Sequence, residues 1–292
     1  MPEFPDLTVY LEHIESRARG ATLARIRIVN PFVLRTVAPA PADFAGRRLT
    51  GTSRIGKRLV LFFDGEHYAV IHLMVLGRLQ WKAEGAKTPR SVLAVFEFDR
   101  GNLQLTESGA KRRASLHLVA GADALRAFDR GGLEVMQASL AQFVAQLQRD
   151  NHTLKRALTD PTILSAIGNA YSDEILHRAM LSPFLQTQHV TADQLRALYD
   201  ATREVLAEWT QRLRQESANE WPKKVTAFRP EMAVHGRFGL PCPRCGAPVQ
   251  RIVYASNEAN YCARCQTQGR LLADRALSRL LHDSWPKTLD DK

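Results

Sequence analysis

Residues 242–265 read CPRCGAPVQRIVYASNEANYCARC. Cys242 and Cys245 form one Cys-x2-Cys pair, Cys262 and Cys265 a second, with sixteen residues between them. Two close thiolate pairs divided by a hairpin-length insert fit one tetrahedral zinc ion. Free thiols or two disulfides are the alternatives. Four sulfur ligands fill the coordination shell, so a zinc held here is structural, and it supplies folding energy that so short a segment lacks. The insert PVQRIVYASNEANY alternates well enough for two strands and a turn, and Arg244, Arg251, Arg264 and Arg270 make the module basic, which suits contact with phosphate.

Upstream of the cysteines the period is helical. LEVMQASLAQFVAQLQRD, HTLKRALTD and DQLRALYDATREVLAEWTQRLRQE carry apolar residues at helical spacing. SAIGNAYSDEILHRAM places a glycine and small polar residues ahead of a further helix. Between about 20 and 120 the pattern favours strands instead. LVLFFDGEHYAVIHLM has two apolar runs around Asp64-Gly65, and VFEFDRGNLQL repeats the form around Arg100-Gly101-Asn102. Such a series predicts an antiparallel sandwich or barrel. VYLEHIESRARG reads as a helix closed by Gly20, and LLADRALSRLLHD after the last cysteine as another, with Arg275 and Arg279 on one side. The segment from Glu216 to Pro230 is either a cap over a pocket or a disordered linker.

The chain has 292 residues, 45% of them hydrophobic, enough for two or three packed units. Its 40 Lys and Arg against 30 Asp and Glu leave a formal charge of +10, which points to a polyanionic partner or to a merely basic enzyme. No uncharged run reaches the length of a membrane span, and no basic region followed by an apolar one marks a secretory signal. Cysteines confined to 242–265 suit a reducing compartment better than a disulfide framework.

The chain opens MPEFPDL. A small residue at position 2 normally allows Met1 to be trimmed, which leaves Pro2 with a free secondary amine. Such an amine can attack an aldehyde-like sugar carbon and give an iminium ion, an electron sink of the kind a lysine Schiff base provides. An α-amino group titrates at about 7.7–8.0, so a neutral fraction exists at neutral pH. A helix starting just after Pro2 disfavours the ammonium further, and Glu3 offers a carboxyl group for proton transfer beside the amine.

MPEFPDL, GKRLVLFF at 56–63, IGNAYSDEIL at 167–176 and the four-cysteine finger occur here in one order. Together they resemble the formamidopyrimidine-DNA glycosylase/endonuclease VIII family of bacterial base-excision enzymes, over nearly the whole chain. The resemblance implies an α+β multidomain protein. Residues 1–125 would form an N-terminal β-sandwich with an N-terminal helix. Residues 126–232 would form a helical domain carrying a helix–two-turn–helix, and residues 233–292 a β-hairpin zinc finger with a C-terminal helix. It implies a bacterial, cytoplasmic monomer acting on damaged double-stranded DNA, with one structural zinc ion as the only cofactor. Pro2 would be the nucleophile on the sugar C1′, Glu3 the proton donor and acceptor, and Lys57 the lysine that reaches the reacting nucleotide, as proton donor for the elimination and in contact with phosphate. Asn169 and Lys155 would bind backbone phosphate. The expected activity is base excision followed by abasic-site lyase chemistry. Two other outcomes compatible with these residues are a lyase without base excision and a catalytically degenerate zinc-finger protein that binds DNA damage.

Some positions depart from the family pattern. Where the family has a stretch like HLGMSG with a void-filling methionine, this chain has His72-Leu73-Met74-Val75-Leu76-Gly77, so Met74, Val75 or Leu76 would fill the void. Where the family has DPRRFG, the chain has Gly109-Ala110-Lys111-Arg112-Arg113-Ala114, so Arg112 or Arg113 would enter the duplex or touch phosphate. Asn257 stands in place of an arginine five residues before the third cysteine and keeps hydrogen bonding without the charged fork. Asp6 replaces a glutamate. These differences predict a divergent subfamily and leave the preferred lesion open.

Overall fold

The computed structural model describes residues 1–86, 88–109, 111–218, 220–223, 225, 228–254, 257–273 and 287–289. They fall into two compact units, residues 1–130 with 209–226, and residues 131–208 with 227–292.

The first unit holds eight strands in two four-stranded antiparallel sheets. One has the order β1 (Leu23–Ile28), β6 (Val92–Phe98), β7 (Gly101–Glu107), β5 (Gly77–Lys82); the other has β2 (Leu49–Ile55), β3 (Arg58–Phe63), β4 (His67–His72), β8 (Ser115–Ala120). Period-two alternation sets which residues go inside. On β3, Leu59, Leu61 and Phe63 join Ile71, Leu116 and Leu118 in one core with Leu79, Phe96, Leu103 and Leu105 of the other sheet. This is the sandwich the hydrophobic pattern predicts. The outward residues Val60, Val70 and Val119 form a smaller cluster under Leu125, at the end of the short helix α2 (Ala122–Arg126), and Phe128. The Asp64-Gly65 signal is a tight hairpin in which Gly65 and Glu66 have φ of 68° and 54°.

Helix α1 (Phe4–Ala18) begins five residues before the start expected at Val9. Pro5 lies in the first turn, where a missing N–H costs no intrahelical bond, so the proline opens the helix. Leu7, Tyr10 and Ile14 go into the sandwich core, and Gly20, at φ 76°, ends the turn beyond.

The second unit contains α3 (Leu140–Gln148), α4 (Leu154–Thr159), α5 (Asn169–Arg178), the first part of α6 (Ala192–Glu216), the hairpin β9 (Val249–Tyr254) and β10 (Asn257–Cys262), and the short α7 (Ala263–Thr267). The expected helix over 133–150 is shortened to α3 because Ser139 caps it. Gln142 N–H donates to Ser139 Oγ at 3.3 Å, and Ser139 N–H to Gln142 Oε1 at 2.9 Å. The C-terminal helix expected over 271–283 falls mostly outside the described residues. Leu271 and Leu272 themselves are buried against Ile252, Tyr261 and Ala263.

Candidate active site

The start of α1 gathers charge in the first unit. Glu3 is the N-cap residue and is 3% exposed; its N–H donates to Asp6 Oδ2 at 3.1 Å. Asp6 therefore reaches back across the first turn despite its shorter side chain. Pro2 is buried beside it. Burial lowers the pKa of the Met1 amine, which precedes Pro2. Glu3 and Asp6 work against that shift, while Arg78 and Lys57 reinforce it. Those four charged side chains thus lie within electrostatic reach of the N-terminus. Lys57 is set by the β2–β3 turn, where Gly56 adopts φ 58°, and Arg78 by β5. Burial also raises the Tyr10 phenol, whose oxygen accepts a hydrogen bond from Leu79 N–H at 3.3 Å. An amine whose ammonium form burial disfavours, with carboxylates and cations in electrostatic reach, can attack an electrophilic carbon and exchange protons with it.

Three segments singled out in the sequence lie wholly or partly in this unit. In the β4–β5 loop Leu73 belongs to the core, Met74 has φ 52°, and Val75 and Leu76 are 55% and 41% exposed. Gly77 is required there, since a Cβ would lie 2.1 Å from the Leu73 carbonyl oxygen. Arg78 holds the loop by donating to the carbonyls of Val75 and Gly77 at 3.0 and 2.7 Å. In the β7–β8 loop the Glu107 carboxylate accepts from the N–H groups of Arg113 and Ala114 at 2.8 and 2.9 Å. Arg112 and Arg113 are exposed, and the Arg112 guanidinium donates to the Arg90 carbonyl at 3.1 Å. In the 216–230 segment, Trp221 stacks near Tyr10 and Trp81 and donates Nε1–H to the Leu79 carbonyl at 2.7 Å, while Val225 is buried in the sandwich core. Those two residues are therefore anchored on the sandwich, not part of a loose linker.

In the second unit α5 organises a buried polar network. Lys155 is 4% exposed and donates its ammonium to the Asn169 carbonyl at 2.7 Å, Ser172 Oγ at 2.8 Å and Asp173 Oδ1 at 2.5 Å. The Lys155 ammonium, expected at a backbone phosphate, makes these three internal hydrogen bonds beneath the start of α5. Asn169 is the first residue of α5 and half-buried. Asp173 Oδ2 lies 2.7 Å from His235 Nδ1 and 3.4 Å from Asn260 Nδ2. Glu174 accepts from the N–H groups of Ala233, Val234 and His235 at 2.7–3.0 Å, and burial raises its pKa. One side of α5 thus holds the segment that leads into the finger.

The four cysteine sulfurs lie within 4.8 Å of one another, with Cys245 and Cys262 at 3.5 Å and Cys242 and Cys265 at 4.0 Å. A tetrahedral zinc with bonds of about 2.3 Å requires sulfurs about 3.8 Å apart, so the cluster fits the ion. His177, one helical turn after Asp173, has Nε2 3.3 Å from Cys242 Sγ. Burial, with Arg244 and Arg178 nearby, lowers its pKa to about 4, so the ring is neutral at neutral pH. Arg251 lies over the Phe238 ring at 4.5 Å and 3.9 Å from Glu258. Asn257 is the first residue of β10, opposite Tyr254.

Comparison with known proteins agrees with this layout. The formamidopyrimidine-DNA glycosylase N-terminal domain matches residues 1–115, its H2TH domain residues 133–217, and the zinc finger found in FPG and IleRS residues 239–268. A formamidopyrimidine-DNA glycosylase of Thermus thermophilus is 32% identical over 282 residues, covering 92% of this chain and all of that one. The chain belongs to the formamidopyrimidine-DNA glycosylase family. This family comprises DNA glycosylase/AP lyase enzymes, and its finger holds a single structural zinc. An uncharacterized formamidopyrimidine-DNA glycosylase-like protein of Mycobacterium tuberculosis is 39% identical over 164 residues, 56% of this chain and 99% of its own length. The fold matches that of the Lactococcus lactis Fpg in complex with DNA containing an abasic site, at a TM-score of 0.81 and 23% identity over 91% of this chain and 99% of that one.

Several of these groups were not singled out from the sequence. Arg78 and Tyr10 carry no motif; only helical spacing on α1 joins Tyr10 to Asp6. Asp173 and His177 are four apart on α5, a spacing that was legible, but their partners His235 and Cys242 are 62 and 65 residues away.

Proposed function

We propose that this protein is a base-excision DNA glycosylase with abasic-site lyase activity whose nucleophile is the amine of Pro2 after removal of Met1. The observation that carries the reading is the burial of the chain start among Glu3, Asp6, Lys57 and Arg78. The damaged nucleotide leaves the helix stack, and the Pro2 nitrogen bonds to C1′ as the bond from C1′ to the base breaks. Glu3 passes a proton to the sugar ring oxygen, the ring opens, and the nitrogen–carbon bond becomes an iminium. The cation acidifies the C2′ proton; its removal expels the 3′ phosphate, with Lys57 as proton donor in the elimination. Hydrolysis of the iminium then frees the amine.

DNA binding is assigned to residues 126–232, through the Asn169 turn, and to the finger within 233–292. Residues 1–125 carry the chemistry. Lys155 acts by fixing the turn, not by touching phosphate. Val75 and Leu76 occupy the space left by the flipped nucleotide, with Met74 forming the bend, and Arg112 and Arg113 contact the duplex. Asn257 replaces a charged fork with a neutral amide, so the grip on the flanking phosphate and the second elimination, at the 5′ side, are weaker than with arginine.

Borohydride reduction tests the reading. A covalent protein–DNA adduct should form with lesion and abasic oligonucleotides, and its mass should correspond to a chain lacking Met1. An adduct with abasic DNA alone would reduce the activity to lyase chemistry. Product formed without any reducible adduct would refute the mechanism.

A further inference from the structure

β5 lies at the edge of its sheet, so the groups it turns away from β7 have no strand to pair with. At Leu79 both main-chain groups find partners outside the ladder. Its N–H donates to the Tyr10 hydroxyl of α1 at 3.3 Å, and its carbonyl accepts from Trp221 Nε1–H at 2.7 Å. Tyr10 is fully buried, and its ring and that of Trp81 lie 5.7 and 6.4 Å from the Trp221 ring. Trp221 is in turn held by α1. The Arg17 guanidinium lies over its indole at 5.6 Å and has donors only, so His13 Nδ1, 2.8 Å from Arg17, accepts. His13 Nε2 therefore carries the hydrogen and donates to Ser217 Oγ at 3.1 Å, and Ser217 Oγ donates to the Leu213 carbonyl at 2.7 Å. Arg214 completes the set with bonds of 2.6 and 3.0 Å to the Glu12 carboxylate. Arg78, just before Leu79, holds the bend at 74–77 through the carbonyls of Val75 and Gly77, and α1 begins at the Glu3 cap. Leu79 is thus the point where the bend and the catalytic helix are tied. An edge strand with one ladder can twist or slide; bonds on its open side remove that freedom, and small misplacements at a reacting centre cost large factors in rate.

We propose that Tyr10 and Trp221 are positioning residues of the excision reaction. By occupying the open side of Leu79 they fix Arg78 and the bend at 74–77 relative to the start of α1, and so the side chains that fill the duplex relative to the amine that attacks the sugar. The proposal rests on the reading that this amine is the nucleophile. The role is orientation, and neither side chain is required to touch DNA.

The test uses the full zinc-loaded protein, a duplex with one abasic site for borohydride trapping, and a duplex with a tetrahydrofuran analogue for affinity. Tyr10→Phe keeps the ring and removes the acceptor for Leu79 N–H; Trp221→Phe keeps a ring near Tyr10 and Trp81 and removes the donor to the Leu79 carbonyl. With protein in excess over DNA and above its dissociation constant, the rate constant of adduct formation should fall about three- to tenfold in each variant. Final adduct yield and affinity for the analogue should stay within about twofold of wild type. Both bonds hold one residue, so the double variant should lose less than the product of the two single losses. If Trp221→Phe folds poorly, Tyr10→Phe, which removes a single oxygen, decides alone. Yield lost at an unchanged rate constant would mark the residues as merely structural and overturn the proposal. Fully multiplicative losses would show that the two bonds do not act through Leu79 and would overturn it as well. Trapping by wild type with unchanged rate constants in both variants rejects the positioning role alone. No trapping by wild type on any lesion or abasic duplex rejects the excision reading, and the positioning role with it.

Discussion

Lys57 and Lys155 are both lysines that the sequence pattern marks for phosphate, yet their surroundings are opposite. Lys155 is enclosed by Asp173, Ser172 and the Asn169 carbonyl, in a network where acids and bases alternate. Lys57 is half-buried on the β2–β3 turn, within electrostatic reach of the N-terminus together with Glu3, Asp6 and Arg78. A cation closed inside the protein stabilises the fold and positions other groups, whereas one set on a turn near the chain start stays within reach of the terminal amine. This difference separates scaffold from working surface more reliably than residue type does.

The comparison can be broken in several ways. Zinc removal has the largest expected effect. Structural zinc contributes on the order of 10 kcal/mol or more, so chelation should unfold the cysteine module and loosen the α5 network fixed to it. The sandwich should keep its own thermal transition, and calorimetry with and without chelator should resolve the two. Lys155→Ala comes next. It strands Asp173 without its ammonium partner and should destabilise the second unit by about 3–5 kcal/mol in denaturant melts. Lys57→Ala should destabilise the protein less than Lys155→Ala, because Lys57 is only half-buried, while depressing adduct formation. Equal losses of stability in the two variants would erase the distinction.

His72 gives a pH-dependent effect. Burial, reinforced by Arg58 and Lys57, lowers its pKa to about 4 in the folded protein, from about 6.5 when unfolded. Between those values the unfolded chain binds more protons, so stability rises with pH across about 4 to 6.5 and is level above. His72→Gln should make that part of the stability profile shallower, with His177 keeping a slope of its own there, and an unchanged profile would count against a buried, cationic neighbourhood. The smallest effect belongs to Asp6→Ala. Loss of the carboxylate that accepts the Glu3 N–H should cost about 1 kcal/mol and fray the first turn of α1, measurable by amide exchange.

Local features of this fold were legible because local rules govern them. Spacing gave the four-cysteine site, alternation gave strands such as β3 and β4, and Asp64-Gly65 gave the hairpin between them. The starts of α1 at Phe4 and α3 at Leu140 differ from the expected ones although Pro5 and the Ser139 cap were present in the sequence. What stayed hidden depends on side-chain direction and long-range pairing. A motif match puts Lys155 near Asn169 but cannot say that its ammonium turns inward. Nothing local links Trp221 to the Leu79 carbonyl, or Asp173 to His235.

The bend at Met74 has a practical consequence. With the backbone already left-handed there, Val75 and Leu76 face water in the protein alone. Such a tip invites self-association or adsorption to plastic during purification, and a short duplex should act as a solubilising additive by covering it.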